Sequence, residues 1–214
     1  SVNEWSLYGG KIYKADVEYS VSNLFFNGKQ MVLSRYPNAG YLTIDEPLSN
    51  PNKGFFDDEL NEADGFWNGA IVRMRTINWA FEYSPVKNFS DGNLNFLNET
   101  LYPSLPGWGY YLDNNFSILD TAGEWYCEET ADNINTIYFY PPGDININDA
   151  IIEAGVIDYG FYSGKNMVNL IISGLEIRNQ SIAGILLSGK NSNVRIENCT
   201  FSGQLQQGIN FTRS

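Results

Sequence analysis

Along the first two-thirds of the chain, apolar residues come in short β-branched or aromatic runs broken by Asn-Gly, Asp-Gly, Pro-Gly and Pro-Pro pairs. That punctuation is the pattern of strands and tight turns, and almost nothing reads as helix. In Ala70-Ile71-Val72-Arg73-Met74-Arg75 the charges fall on alternate residues, as a half-buried antiparallel strand requires. Strands are expected over 11–19, 24–26, 30–33, 41–44, 70–77, 80–83, 93–97, 117–119, 124–127 and 136–140. The stretch 30–142 therefore reads as an all-β module, and residues 1–29 as leading strands compatible with the first coil of a solenoid.

After Pro141-Pro142-Gly143 the pattern becomes periodic. Gly160, Gly184 and Gly208 each precede an apolar residue and lie 24 residues apart. The segment beginning at Asn169 superposes on that beginning at Asn193 with the same shift of 24. Adding this period pairs Leu170 with Val194, Ile172 with Ile196, Leu175 with Cys199, Ile177 with Phe201, Ile185 with Ile209, and Leu187 with Phe211. Every pair is apolar, whereas Ile171 with Arg195, Glu176 with Thr200 and Leu186 with Asn210 are mixed, as the outer face of alternating strands would be. Each unit holds three short strands between Gly, Ser and Asn turns, and one unit alone cannot bury its inner face. Stacking buries it, so residues 143–214 read as the opening coils of a right-handed parallel β-helix. The Leu-x-x-Leu-x-Leu spacing of a leucine-rich repeat is absent. With two to three coils and no capping segment, the chain is expected to be the N-terminal portion of a longer protein, its solenoid truncated.

Composition narrows the chemistry. A chain of 214 residues suits one large domain or two small ones, and 43% apolar against 18% charged residues excludes disorder and coiled coil. The formal net charge of -12 argues against nucleic acid and anionic membranes as partners. Histidine is absent, which removes His-based nucleophile triads and most zinc, copper and non-haem iron sites. No apolar run approaches a membrane helix, and Ser1–Trp5 is no signal peptide, so an export signal is expected upstream if the protein is secreted. Cys127 and Cys199 are open to a disulfide, two free thiols or two buried small apolar residues. Sequons at Asn88, Asn98, Asn115, Asn179, Asn198 and Asn210 are read as a consequence of Asn-rich composition.

Three segments carry a family resemblance. Phe25-Phe26-Asn27-Gly28-Lys29-Gln30 running to Ser34-Arg35-Tyr36-Pro37-Asn38 resembles the Asn-Gly-Lys … Ala-Arg-Tyr-Pro-Asn segment near the start of secreted bacterial β-helix proteins. Phe66-Trp67-Asn68-Gly69-Ala70 is similar to their Trp-x-Gly-Ala strand. Leu119-Asp120-Thr121-Ala122-Gly123-Glu124-Trp125-Tyr126, with Ile137 to Pro142 further along, resembles their Leu-Asp-x-x-Gly-Glu-Trp-Tyr … Pro-Pro signature, with Cys127 departing from it. The resemblance is to the pectate-lyase-like superfamily, in particular β-helix glycoside hydrolases of the β-xylosidase type. It spans roughly residues 8 to 211 and implies a β-sandwich-like module at 30–142 beside the coils. It also implies that the catalytic carboxylates lie on coils beyond this chain, so none is carried over.

Glycosidases need two carboxyl groups roughly 5–10 Å apart. Asp120 and Glu124 flank a turn beside Trp125 and are the candidate pair, although carboxylates at such turns usually cap backbone amides, the reading preferred here. For substrate binding the candidates are Trp108, Glu176 and Arg195. Trp108 sits in a Pro/Gly loop among tyrosines, open to display or burial, while Trp67, Trp79 and Trp125 are expected in the core. Glu176, Arg195 and Glu197 are expected close together on successive coils, where Arg195 would meet a uronate carboxylate or simply pair with a neighbouring Glu. No metal ligands or cofactor are indicated: calcium would suit uronate chemistry, but Asp144–Asp149 lacks the central Gly and terminal Glu of a calcium loop. The expected partners are a polysaccharide or oligosaccharide and the remainder of the parent chain, and the expected location is secreted, periplasmic or cell-surface. The leading functional expectation is a glycoside hydrolase parent acting on plant or algal polysaccharide, with this part as inactive scaffold and one wall of the groove. The alternatives are an adhesive glycan-binding β-helix and a polysaccharide lyase.

Overall fold

The computed structural model describes residues 1–130 and 134–212 and is all-β; among these residues the helical turns are the 3-10 segments Phe116–Ile118 and Ile147–Asp149. Two residues of the segment read as coils, 213 and 214, lie outside the described residues.

A first sheet has the order Ser6–Gly9, Ile12–Val17, Asn135–Phe139, Glu124–Glu128, Val32–Leu33. It buries Ala15, Val17, Trp125, Ile137 and Phe139 against Trp5, Leu24 and Phe26. Strand Asn23–Phe26 turns into Lys29–Gln30 through Asn27 and Gly28, at φ 49° and 77°. Both central residues of a two-residue hairpin of this kind need the left-handed region, and Asn-Gly supplies it with little strain. On its other edge Asn23–Phe26 pairs with Ile152–Gly155. The first sheet joins residues on both sides of the boundary expected at 29/30, because Asn135–Phe139 pairs with Ile12–Val17.

A second, eight-stranded sheet runs Arg35–Tyr36, Gly109–Asp113, Ile71–Ile77, Ala80–Ser90, Asn93–Phe96, Gly54–Phe56, Glu46–Pro47, with Leu42–Thr43 also on Gly109–Asp113. The alternation seen in the sequence decides its faces: Val72, Met74 and Thr76 are buried, while Arg73 and Arg75 point the other way. Trp67, Tyr110, Phe55, Phe89, Leu94 and Leu112 fill the core beneath. The strand expected to end at Tyr83 continues through Pro85 to Ser90, with a register shift between Val86 and Asn88. The proline N, which cannot donate, sits at the onset of that irregularity. The strand expected at 117–119 is instead the 3-10 turn, because the Asn115 side chain accepts from the Ser117 N–H and closes the chain on itself. Gly54–Phe56 and Gly109–Asp113 are strands that the pattern of residues does not announce.

The third part stacks parallel strands with the predicted register. Tyr159–Ser163, Ala183–Ser188 and Gln207–Thr212 form one sheet, Ile171–Ser173 with Arg195–Glu197 a second, and Glu176–Arg178 with Thr200–Ser202 a third. Ile172 lies on Ile196, Ile177 on Phe201, Ile185 on Ile209 and Leu187 on Phe211, each 24 residues apart. The turns obey the same period: positions 169 and 193, 174 and 198, 179 and 203 all have positive φ and are all Asn or Gly. Left-handed backbone is what lets the chain turn sharply between short strands, and these two residue types tolerate it. Side-chain ladders reinforce the stack, with Asn193 Nδ2 donating to Asn169 Oδ1 at 2.5 Å and Gln204 Nε2 to Gln180 Oε1 at 2.8 Å. The turns of the stack dock on the first part, where Asn23 Nδ2 donates to the Gly203 carbonyl and the Ser22 hydroxyl donates to Ser181 Oγ one coil earlier.

Both cysteines are free; Cys127 is buried in the first core and Cys199 is half-buried in the stack.

Candidate functional site

The outward face of the second sheet is composed of aromatic and arginine side chains. Register places Arg73 between Tyr83 on one neighbouring strand and Tyr111 on the other, and Arg75 opposite Phe81. The hairpin joining Ile71–Ile77 to Ala80–Ser90 puts Trp79 at its tip, where it is 75% exposed. This corrects the expectation that Trp79 is core: the run Trp79-Ala80-Phe81-Glu82-Tyr83 alternates, but its aromatic members lie on the solvent side. Trp67 and Trp125 are buried as expected.

This face holds two adjoining hollows. A groove of about 540 Å³ is walled by Trp79, Phe81, Trp108, Tyr41 and Arg75, and Gly107 and Gly109 keep its floor open. Next to it, a cleft of about 770 Å³ lies between Arg35, Arg73, Tyr83, Tyr111 and Asp113 on one side and the loop bearing Leu205 and Gln206 on the other. Trp108 is half-buried, packed on the core with the Arg75 guanidinium 5.6 Å above its ring. The Arg35 guanidinium lies 4.0 Å from the Tyr111 ring centre and 5.5 Å from that of Tyr41, and Arg73 lies 5.5 Å from Tyr83. Stacking of this kind holds a guanidinium flat while leaving its N–H edge for other partners.

Asp113 is the carboxylate of the cleft. Its side chain is 6% exposed, and Oδ2 accepts from Arg73 Nε at 2.5 Å. Oδ1 is buried with no partner, as is Arg35 Nε nearby. Burial holds the Asp113 carboxyl above the usual carboxylate range, with Arg73 and then Arg35 opposing the shift. The Tyr111 phenol is raised by burial and by the Asp113 charge.

The residues singled out from sequence fall elsewhere, Trp108 excepted. Asp120 is exposed and accepts from Asn38 Nδ2 and Thr121 Oγ1, each at 2.9 Å. Glu124 is buried and accepts from the backbone N–H groups of Arg35, Asp120 and Thr121 at 3.2–3.3 Å. Burial pushes the Glu124 carboxyl up against the pull of those three bonds. Its connection to the cleft is indirect, through the backbone of Arg35. Glu176 is exposed opposite Thr200, whereas Arg195 pairs with Glu197 at 3.2 Å in a different sheet, so the expected trio is not gathered at one point. A cluster not foreseen from sequence, Asp45, Asp57 and Asp58, brings three carboxylates within 4.8 Å. Its oxygens already serve the fold: Asp57 accepts from the Tyr110 hydroxyl at 2.6 Å and from the Glu59 N–H, and Asp45 from the Asp58 N–H.

Neither a family model nor a curated protein matches the sequence. A solved structure described as a glycoside hydrolase superposes with a TM-score of 0.59 over 93% of this chain at 14% identity. The chain has a glycoside-hydrolase-like fold. It spans 35% of the length of that neighbour. At this identity the likeness concerns the path of the backbone, and the side chains of the two hollows must be judged by their own chemistry.

Proposed function

We propose that this chain is the scaffold and substrate-binding part of a secreted carbohydrate-active protein built on a right-handed parallel β-helix, and that the whole protein is a glycoside hydrolase acting on plant or algal polysaccharide. In this reading residues 143–214 are opening coils, 30–142 a β-sandwich-like module carrying the groove, and 1–29 the strands that tie the two together. The parallel stacking at a 24-residue register supports the solenoid. The glycoside-hydrolase-like fold supports the activity class, and its 35% share of the neighbour's length supports placing catalytic residues outside this chain.

The observation that carries the binding role is the groove itself. Trp79, Phe81 and Trp108 present flat apolar rings beside Arg75 and Asn78, and sugars bind to that combination of ring faces and polar donors. The test is calorimetric titration with a panel of neutral and acidic oligosaccharides, comparing the chain with Trp79→Ala. Because Trp79 is exposed, the variant should keep its melting temperature while losing roughly tenfold or more in affinity, about 1.4 kcal/mol of stacking. Unchanged affinity in the variant would remove the groove from the proposal. A non-catalytic glycan-binding protein is the second reading, resting on the same exposed aromatic rings of the groove. Sugar release by the chain extended through its downstream part separates the two.

A further inference from the structure

The charge of the hollows is opposite to that of the molecule. The chain as a whole carries -12. The groove and the cleft together are lined by three arginines, Arg35, Arg73 and Arg75, and one carboxylate, Asp113, a formal +2. Half of the six arginines in the sequence meet on this one face, Arg73 and Arg75 from the strand Ile71–Ile77 and Arg35 from Arg35–Tyr36.

These guanidiniums are not consumed by the fold. Each has five N–H donors. Arg35 donates through Nη2 to the Gly40 carbonyl, Arg73 through Nε to Asp113, and Arg75 through Nη2 to the Asn78 carbonyl. Apart from these single nitrogens, the donor edges are unpaired among the described residues, while Tyr111, Tyr83 and Trp108 fix the planes. A pre-positioned guanidinium fork matches a carboxylate or a sulfate ester, and the aromatic ring beside it takes the face of the sugar that bears the group.

We infer that the cleft formed by Arg35, Arg73, Tyr83 and Tyr111 is an anionic-sugar subsite, selecting glycans that carry a carboxylate or sulfate next to the ring stacked in the neighbouring groove. This rests on the carbohydrate-binding reading above and specifies its substrate class. The positive cleft also answers the objection that an acidic protein would repel a polyanion, since the local field and not the net charge governs the last few ångströms of approach.

The test compares three tetrasaccharides on the intact chain by calorimetry: a uronic acid oligomer, a sulfated neutral oligomer and its unsulfated parent. Each is titrated at about 50 mM and about 500 mM salt, which shortens the screening length from roughly 14 Å to roughly 4 Å. Binding of one or both anionic oligomers at least about tenfold tighter than the neutral one, with the preference shrinking several-fold at high salt, is the expected result. Which anionic arm binds tells carboxylate from sulfate. Arg73→Gln alone would leave Asp113 buried and unpaired, so it is combined with Asp113→Asn. That pair, and separately Arg35→Gln, should erase the preference for the anionic oligomers over the neutral one. Equal affinity for charged and neutral oligomers overturns the anionic subsite while leaving the aromatic groove in place. Binding to none of the three overturns both.

Discussion

Replacing Gly184 with Ala tests the stacked register of the parallel strands. A Cβ built on Gly184 would lie 2.6 Å from Cδ1 of Phe201 and 2.7 Å from the carbonyl oxygen of Gly208. The same column recurs one period earlier, where a Cβ on Gly160 would lie 2.6 Å from Ile177 and 2.8 Å from the Gly184 carbonyl. The phenyl ring can rotate or shift, but the carbonyl belongs to a parallel ladder and can retreat only by weakening its pairing. Overpacking of this kind costs about 1–3 kcal/mol, and a backbone obstacle places Gly184→Ala near ~2 kcal/mol. In a chain of this size each kcal/mol moves the melting temperature by about 2–4 °C, so a fall of roughly 4–8 °C is expected. Gly174→Asn is the control: Gly174 has φ +72° with open space around it, and the residue one period later, Asn198, already holds φ 52°. It should cost less than about 1 kcal/mol. Thermal unfolding measured by circular dichroism, with a guanidinium titration for slope, reads both variants. A melting temperature for Gly184→Ala within about 1 °C of the parent would mean the glycine column is not packed against its neighbours.

The buried carboxyls of Asp57, Asp113 and Glu124 are all raised, in each case chiefly by burial, so the fold binds protons that the unfolded chain has released. Their contribution is greatest below the ordinary carboxylate range and is lost as pH rises through the elevated values; melting temperature should be higher near pH ~5 than near pH ~8, and the reverse order would refute the assignment. The thiol of Cys127 is pushed up to about 11, by burial first and then by Glu129 and Glu128. In the native protein near pH ~8 it should resist a thiol reagent and label only on unfolding, whereas full labelling of both cysteines before the unfolding transition would contradict its burial.

Much of the third part is legible in the sequence because its constraints are local and repeated. A turn residue with positive φ, an inward apolar residue and a glycine under a bulky neighbour each recur at 24 residues, so any one landmark predicts the others. The second sheet offers no such redundancy. The strand Gly109–Asp113 is hidden because Gly107 and Gly109 suggest a loop, yet its pairing with Ile71–Ile77 is what places Tyr111 beside Arg73. Trp79 misleads for a related reason: alternation separates Trp79, Phe81 and Tyr83 from Ala80, Glu82 and Ser84 but does not say which face is buried, and here it is the aromatic face that meets solvent. Arg73 and Arg75 are readable as outward; their shared surroundings with Arg35 are not, because that depends on strand order.

The outer face of this sheet is hard to explain by stability alone. Packing is done on the other face, where Val72, Met74, Tyr110 and Leu112 are fully buried. Each guanidinium over a ring at a partly exposed site contributes about 0.5–1 kcal/mol, a gain that ordinary Thr or Lys cross-strand pairs would nearly match. Against that gain stands the cost of leaving Trp79 at 75% and Tyr83 at 67% exposure, an apolar surface that invites association. Nor does net charge require it, since an acidic chain has no need to collect three of its six arginines on one face. What this combination of residues does supply is a set of flat rings with fixed, incompletely used donors between them. Replacing Trp79 and Tyr83 together by Thr should therefore leave folding intact and change only what the face can bind.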